Sequence, residues 1–146
     1  MIVVGAGLIG LSCAWELTLR GVRVTVLERE EPGCGATRVA AGMLAPVGEL
    51  DFGEPELLAI NLCSRSLYPE FVAGIESVTG LDAGYRRCGA LHVALDRDEA
   101  AELKRVMELQ LRHGLDSRWL GPMAARDLEP GVSPSLAGAT LVADDA

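Results

Sequence analysis

The feature that most constrains this chain is a glycine triplet set between two apolar strands. Residues 1–4 read Met-Ile-Val-Val and lead into Gly5-Ala6-Gly7-Leu8-Ile9-Gly10. An apolar, helix-like stretch follows. Then come Gly21 and Val22-Arg23-Val24-Thr25-Val26-Leu27-Glu28. Strand, glycine turn, helix and second strand close on an acid, near the offset of roughly 20 residues found in dinucleotide-binding units. Gly5 permits a tight turn, Gly7 lets the backbone approach a pyrophosphate, and Gly10 lets the helix pack close to the sheet. The helix N-terminus then offers N–H groups and a positive dipole end to a diphosphate. Ala14 and Leu17 share a helical face with Gly10 and are expected to press on the strands. Gly21 suits a left-handed helix end. Glu28, at the carboxyl end of the second strand, is placed to accept both hydroxyls of an adenosine ribose. Its charge repels a 2′-phosphate and disfavours NADP.

Charge and cysteine usage narrow the function. Twenty-one acids against 13 bases leave a net charge of −8, which argues against nucleic acid and against an anionic membrane surface. The segment 2–17 is apolar but lacks a basic leader and a cleavage site, so it is not read as a signal peptide. No other stretch is long enough to insert in a bilayer. Cys13, Cys34, Cys63 and Cys88 form no C-x-x-C pair and no cluster with His92 or His113, so no metal site is expected. Cys13 reads as a small buried helix residue, and the chain reads as reduced and cytoplasmic.

Beyond Glu28 the pattern changes. Residues 36–46, Ala-Thr-Arg-Val-Ala-Ala-Gly-Met-Leu-Ala-Pro, carry no period long enough for a regular element. By composition alone they form a buried connector. A helix is expected from Glu54-Pro55 to about Gly80, kinked or divided at Pro69. Tyr85 to Leu95 reads as a strand, with Gly89 as a bulge or break. Asp96 opens a second helix with Glu99 as capping-box partner, Leu103, Met107 and Leu111 on one face, and a Glu108–Arg112 pair. His113 and Gly114 end it. Trp119-Leu120 is a short strand, Pro122–Leu128 a short helix and Ala139–Ala143 a further short strand.

The opening unit, together with Ala40-Ala41-Gly42-Met43-Leu44-Ala45-Pro46 and Glu49, resembles the D-amino-acid oxidase-like family of FAD-dependent oxidoreductases. Within it the resemblance is to the glycine oxidase branch that serves thiamine biosynthesis. Asp127-Leu128-Glu129-Pro130 and the stretch from Leu136 to Asp145 look similar too. The resemblance implies FAD rather than NAD. It places Leu8 and Ile9 at the pyrophosphate turn and Glu28 and Arg29 at the adenosine end. It sets Ala36 and Thr37 by the phosphates and ribityl chain, and Ala41, Gly42 and Met43 against the isoalloxazine. Arg38-Val39 depart from the Ser or Thr that the family often has before the alanines.

The expected fold is α/β: a Rossmann-type FAD-binding βαβ unit with an inserted α+β substrate-domain portion. Residues 1–46 would form the N-terminal part of the FAD domain, and residues 47–146 a helical segment and the start of the substrate domain. Only one βαβ is present where the doubly wound sheet needs more strands. The chain is therefore expected to be the incomplete N-terminal part of a longer protein, inactive alone, with open sheet edges and weak FAD binding. The implied reaction is oxidation of glycine or another small amine or amino acid by oxygen, giving an imine and hydrogen peroxide. An FAD-dependent amino-acid dehydrogenase and a non-catalytic flavin-binding module are the alternatives. No catalytic residue is assigned, and homo-oligomerisation is left open.

Overall fold

The computed structural model describes residues 1–53 and 55–146. Glu54, the expected start of the long helix, lies outside the described residues. The chain forms two compact units, Met1–Met43 and Leu44–Ala146.

The first unit is the βαβ of the glycine turn. Strands β1 (Ile2–Val4) and β2 (Thr25–Leu27) pair in parallel, with Val3 opposite Val26. Helix α1 (Leu8–Leu19) connects them. Gly5 has φ +99 and Gly21 has φ +77, so both occupy the left-handed region that only glycine enters without strain. At Gly10 the requirement is steric, because an added Cβ would fall on the carbonyl oxygen of Gly5 and 3.5 Å from Val3 Cγ1. Helix and strand cross too closely there for any side chain. Ala14 is buried on the same face and Leu17 half-buried, as the helical spacing implies. Cys13 is exposed rather than buried, because it points off that face. Ile2, Val4 and Leu27 are exposed along the two-stranded sheet. Residues 36–39, expected to be irregular, form a single helical turn, α2 (Ala36–Val39). One turn is too short to leave a hydrophobic period.

The second unit is α+β. Helix α3 (Pro55–Thr79) runs through Pro69 as one continuous element rather than two. Leu58 and Val72 are buried on it, with Leu62, Tyr68 and Phe71 half-buried at helical spacing between them. That packed stripe offsets the lost backbone bond at proline. Asp82 Oδ1 accepts from Gly84 N at 2.7 Å, closing the turn that follows. Strand β3 (Ala90–Ala94) is shorter than expected because Gly89, at φ +80, breaks the extended run.

Helix α4 (Arg97–Arg112) is capped by Asp96, whose Oδ1 accepts from Asp98 N and Glu99 N, both at 2.9 Å. Glu99 reaches back to Leu95 N at 2.7 Å, one residue before the cap. Two otherwise unpaired helix-start donors and one loop amide are satisfied this way. The buried stripe of α4 runs through Ala100 and Gln110, with Leu103, Val106 and Met107 half-buried. Leu111 is exposed instead, one position off the stripe. Glu108 and Arg112 form no ion pair among the described residues, and the nearer pair on this helix is Arg105 with Glu102. His113 is the exposed C-cap and Gly114 follows at φ +72.

Strand β4 (Ser117–Leu120), helix α5 (Pro122–Leu128) and strand β5 (Gly138–Val142) complete the unit. The sheet is antiparallel in the order β3-β5-β4. His92, Thr140 and Trp119 align in one cross-strand row, and Val93, Ala139 and Leu120 in the next, on opposite faces. Helix α4 packs across all three strands, with Lys104 Nζ 4.6 Å from the Trp119 ring centre. The other face carries a small core of Ala125, Leu136 and Ala139 with Leu91, Leu120 and Val132.

A buried carboxylate fastens residues 44–50 within this unit. Asp145, fully buried, accepts from Val47 N at 3.3 Å and Gly48 N at 2.7 Å. Leu44 and Ala146 exchange backbone bonds of 2.6 and 3.0 Å, and Gln110 Nε2 donates to Val47 O at 2.8 Å.

Two stability changes follow. Asp96→Ala should cost about 1 kcal/mol through loss of the α4 cap, read by urea unfolding. Gly10→Ala should cost about 1–3 kcal/mol by overpacking the α1–β1 crossing. Equal stability of Gly10→Ala and the unchanged chain would show that α1 can step away from β1.

Candidate functional site

The candidate site lies in the first unit, where β1, α1, β2 and α2 meet. Gly5 N donates to Leu27 O at 2.7 Å, which ties the turn to the end of β2. The next residue on β2's side is Glu28. Its Oε2 accepts from Ala6 N at 2.6 Å, and its Oε1 from Arg29 N at 2.6 Å and Glu30 N at 3.1 Å. These backbone donors, Ala6 first, hold the Glu28 carboxyl below its ordinary range. A carboxylate has about four acceptor positions, of which these three amides take three.

Thr37, on α2, closes the other side. Its Oγ1 accepts from Leu8 N at 2.9 Å at the start of α1 and would lie 3.3 Å from a Cβ at Gly7. Gly7 is therefore bare where the hydroxyl sits. The amides of the first turn of α1 that follow Leu8 are those a helix cannot pair internally.

Two cavities meet at Gly7 and Thr37. One, of about 210 Å³, is lined by Gly7, Glu28, Arg29, Glu30 and the segment Gly33–Thr37. The other, of about 480 Å³, runs along Val3–Gly5, Gly7–Gly10, Cys13 and Thr37. The structure thus gathers Gly5, Gly7, Leu8, Ile9, Gly10, Glu28, Arg29, Ala36 and Thr37 around two cavities that share Gly7 and Thr37. Ala41, Gly42 and Met43 line neither cavity and are exposed.

Sequence reasoning passed over Gly33. It has φ +74, donates to Ala6 O at 2.9 Å and lines the smaller cavity. The signal was Gly33-Cys34-Gly35 five residues after Glu28, where the chain turns back toward Ala6. Cys34 donates weakly to Glu30 Oε2 at 3.6 Å, so the same return loop is held at its tip.

The arrangement suits a nucleotide. Main-chain amides and a helix start face the cavity for a diphosphate, a fixed carboxylate waits at the strand end, and glycine removes side chains where a ligand backbone must pass. No cluster of His, Cys, Asp and Glu among the described residues has the form of a metal site. No helix among them is long and apolar enough to cross a membrane.

Comparison with known proteins agrees with this geometry. The family model described as "FAD dependent oxidoreductase" matches residues 1–146. The bifunctional protein ThiO/ThiG of Trichormus variabilis is 36% identical over 100% of this chain and 22% of its own length. A glycine oxidase of Geobacillus kaustophilus is 33% identical over 98% of this chain and 38% of its own. Among solved structures, glycine oxidase from Geobacillus kaustophilus superposes with a TM-score of 0.93 at 33% identity, covering 99% of this chain and 39% of that one. Glycine oxidase from Bacillus cereus gives 0.90 at 31%, covering 99% and 38%. The chain therefore spans between about a fifth and two fifths of these relatives. A βαβ nucleotide unit followed by an α+β unit, matched by one family model from end to end, places the chain in the family of FAD-dependent oxidoreductases.

Proposed function

We propose that this chain supplies the nucleotide-binding start of an FAD-dependent oxidase acting on glycine or another small amine or amino acid, in the service of thiamine biosynthesis. The observation that carries the reading is the cavity lined by Gly7, the cap of α1, with Glu28 and Thr37. The chain's likeness to glycine oxidases supports the substrate class.

The residues present fit the cofactor. Amides at the start of α1 would take the diphosphate, with Gly5, Gly7 and Gly10 keeping the crossing clear and Leu8 and Ile9 at the turn. Glu28 would accept a ribose hydroxyl, and the backbone of Arg29 would flank the adenosine end. Ala36 and Thr37 would face the phosphates and the ribityl chain. The Thr37 hydroxyl, which now accepts from Leu8 N, can turn its own proton toward a phosphate oxygen. Ala41, Gly42 and Met43 would present small or polarizable surface to the isoalloxazine. When bound, FAD supplies a two-electron acceptor that takes a hydride equivalent from the substrate Cα and passes the electrons to oxygen. No arginine of this chain is assigned to the substrate carboxylate.

Two measurements test the reading. Glu28→Gln keeps the shape but turns a donor toward Ala6 N or the ribose, so FAD affinity should fall about tenfold or more. The lowered carboxyl pKa fixes the sign with pH. The charged form and its contribution persist above the ordinary carboxylate range and are lost only as pH falls through the depressed value. Flavin fluorescence during acid titration should show retention continuing below that range in the unchanged protein and falling only through the depressed value, whereas the variant, with nothing to titrate at residue 28, should bind weakly without that fall. Unchanged affinity of Glu28→Gln would remove Glu28 from the ribose site.

The reaction itself is checked by cofactor extraction and peroxide release from the full-length protein with glycine, sarcosine and D-alanine. Flavin and peroxide are expected. Recovery of NAD would refute the cofactor, and electrons passing only to quinones or dyes would assign a dehydrogenase.

A further inference from the structure

We propose that Thr37 is a positioning residue whose hydroxyl latches α2, and the stretch that leaves it, to the diphosphate end of the site. This role rests on the cofactor reading above. Helix α2 is a single turn with no buried residue. Among the described residues, one hydrogen bond joins it to any part of the chain outside residues 35–39: Thr37 Oγ1 accepts from Leu8 N at 2.9 Å. A turn this short does not hold its shape unaided, so that bond decides where α2 lies. Residues 40–43 follow α2 directly and belong to the same compact unit.

The latch replaces a missing cap. Gly7, at the N-cap of α1, has no side chain, and the first turn carries no acid. Leu11 N bonds Gly7 O at 3.0 Å, and Leu8 N is taken by Thr37 across 29 residues of sequence. A cap normally comes from the residue at the helix start; here it comes from the loop that returns after β2. An added Cβ at Gly7 would come within 3.3 Å of Thr37 Oγ1, so the bare glycine also makes room for the hydroxyl. Gly7 and Thr37 are the two residues common to both cavities of the site.

A hydroxyl accepts with its lone pairs and donates its own proton. With Leu8 N filling the acceptor role, the Thr37 proton is left for an anionic oxygen. A diphosphate at the α1 start adds a charge-assisted bond to the same side chain, which is then held from both sides. Binding there orders α2, and with it the start of the segment Ala41–Met43 that the cofactor reading sets against the isoalloxazine. The coupling runs both ways: order that the diphosphate imposes on residues 36–43 is returned as affinity when those residues are already ordered.

The test follows backbone amide hydrogen exchange of the 146-residue chain by NMR, without ligand, with FAD and with ADP. Without ligand, Thr37→Val should speed exchange of the Leu8 amide severalfold, and Thr37→Ser should restore it. Thr37 is exposed, so neither change disturbs a packed surface. FAD should slow exchange at residues 38–42 in the unchanged chain and in Thr37→Ser, but not in Thr37→Val, whose FAD affinity should fall about tenfold. ADP carries the diphosphate without the flavin and should protect the same amides. Protection by FAD but not by ADP would assign the ordering to the ring and overturn the latch. Equal protection in Thr37→Val, or unchanged Leu8 exchange in that variant, would overturn it too. Failure of FAD to bind the unchanged chain would overturn the cofactor reading and the ordering with it. That outcome is told apart from the others by the Leu8 amide, which reports the cap without any ligand.

Discussion

The nucleotide unit depends on one close crossing. Gly10 of α1 lies so near the Gly5 carbonyl that no Cβ fits between them. Bringing the helix this close aims its first turn at the strand ends. The Gly5 amide can then bond Leu27 O, which sets the start of α1 beside the end of β2. Glu28 follows directly and meets Ala6 N. Larger residues at Gly10 would move the helix start away from the acid, and the two halves of the nucleotide cradle would separate.

The second unit has a different anchor. Its buried acid, Asp145, accepts amides from Val47 and Gly48, with Arg65 near it at 4.0 Å. The same segment gives its Val47 carbonyl to Gln110. A loop that lacks helix or strand bonding is thus held by side chains from distant parts of the chain. Buried backbone groups need such partners, since each unpaired one costs free energy comparable to a lost hydrogen bond.

Much of this was legible in the sequence, and what was not has identifiable causes. The glycine triplet, Gly21 and Glu28 fix chirality and sterics locally, so the βαβ reads directly from them. Asp96 with Glu99 announced the α4 start for the same reason, through short-range bonds. At Pro69 the alternative of two helices is excluded, since α3 continues through it with Leu58 and Val72 buried on either side. Leu111 misled because repeated steps of four residues overshoot the 3.6-residue turn by about 40° each, which carries Leu111 off the buried face that Gln110 occupies. The one-turn helix at 36–39 left no pattern to find. The α1–Glu28–Thr37 gathering was foreseen in residue type. The three amides that hold Glu28 were not, because their directions are set only by the folded loop.

The three amide bonds to Glu28 have a thermodynamic consequence beyond geometry. A free glutamate side chain loses rotamer freedom when a ligand immobilises it. Here that freedom is already lost in the folded loop, at the cost of folding rather than of binding. A hydroxyl donor brought to Glu28 would therefore meet an acceptor already ordered, with the side-chain part of the binding entropy removed in advance. The stiffness of this acid is a property of the chain's own turn, present before any nucleotide arrives.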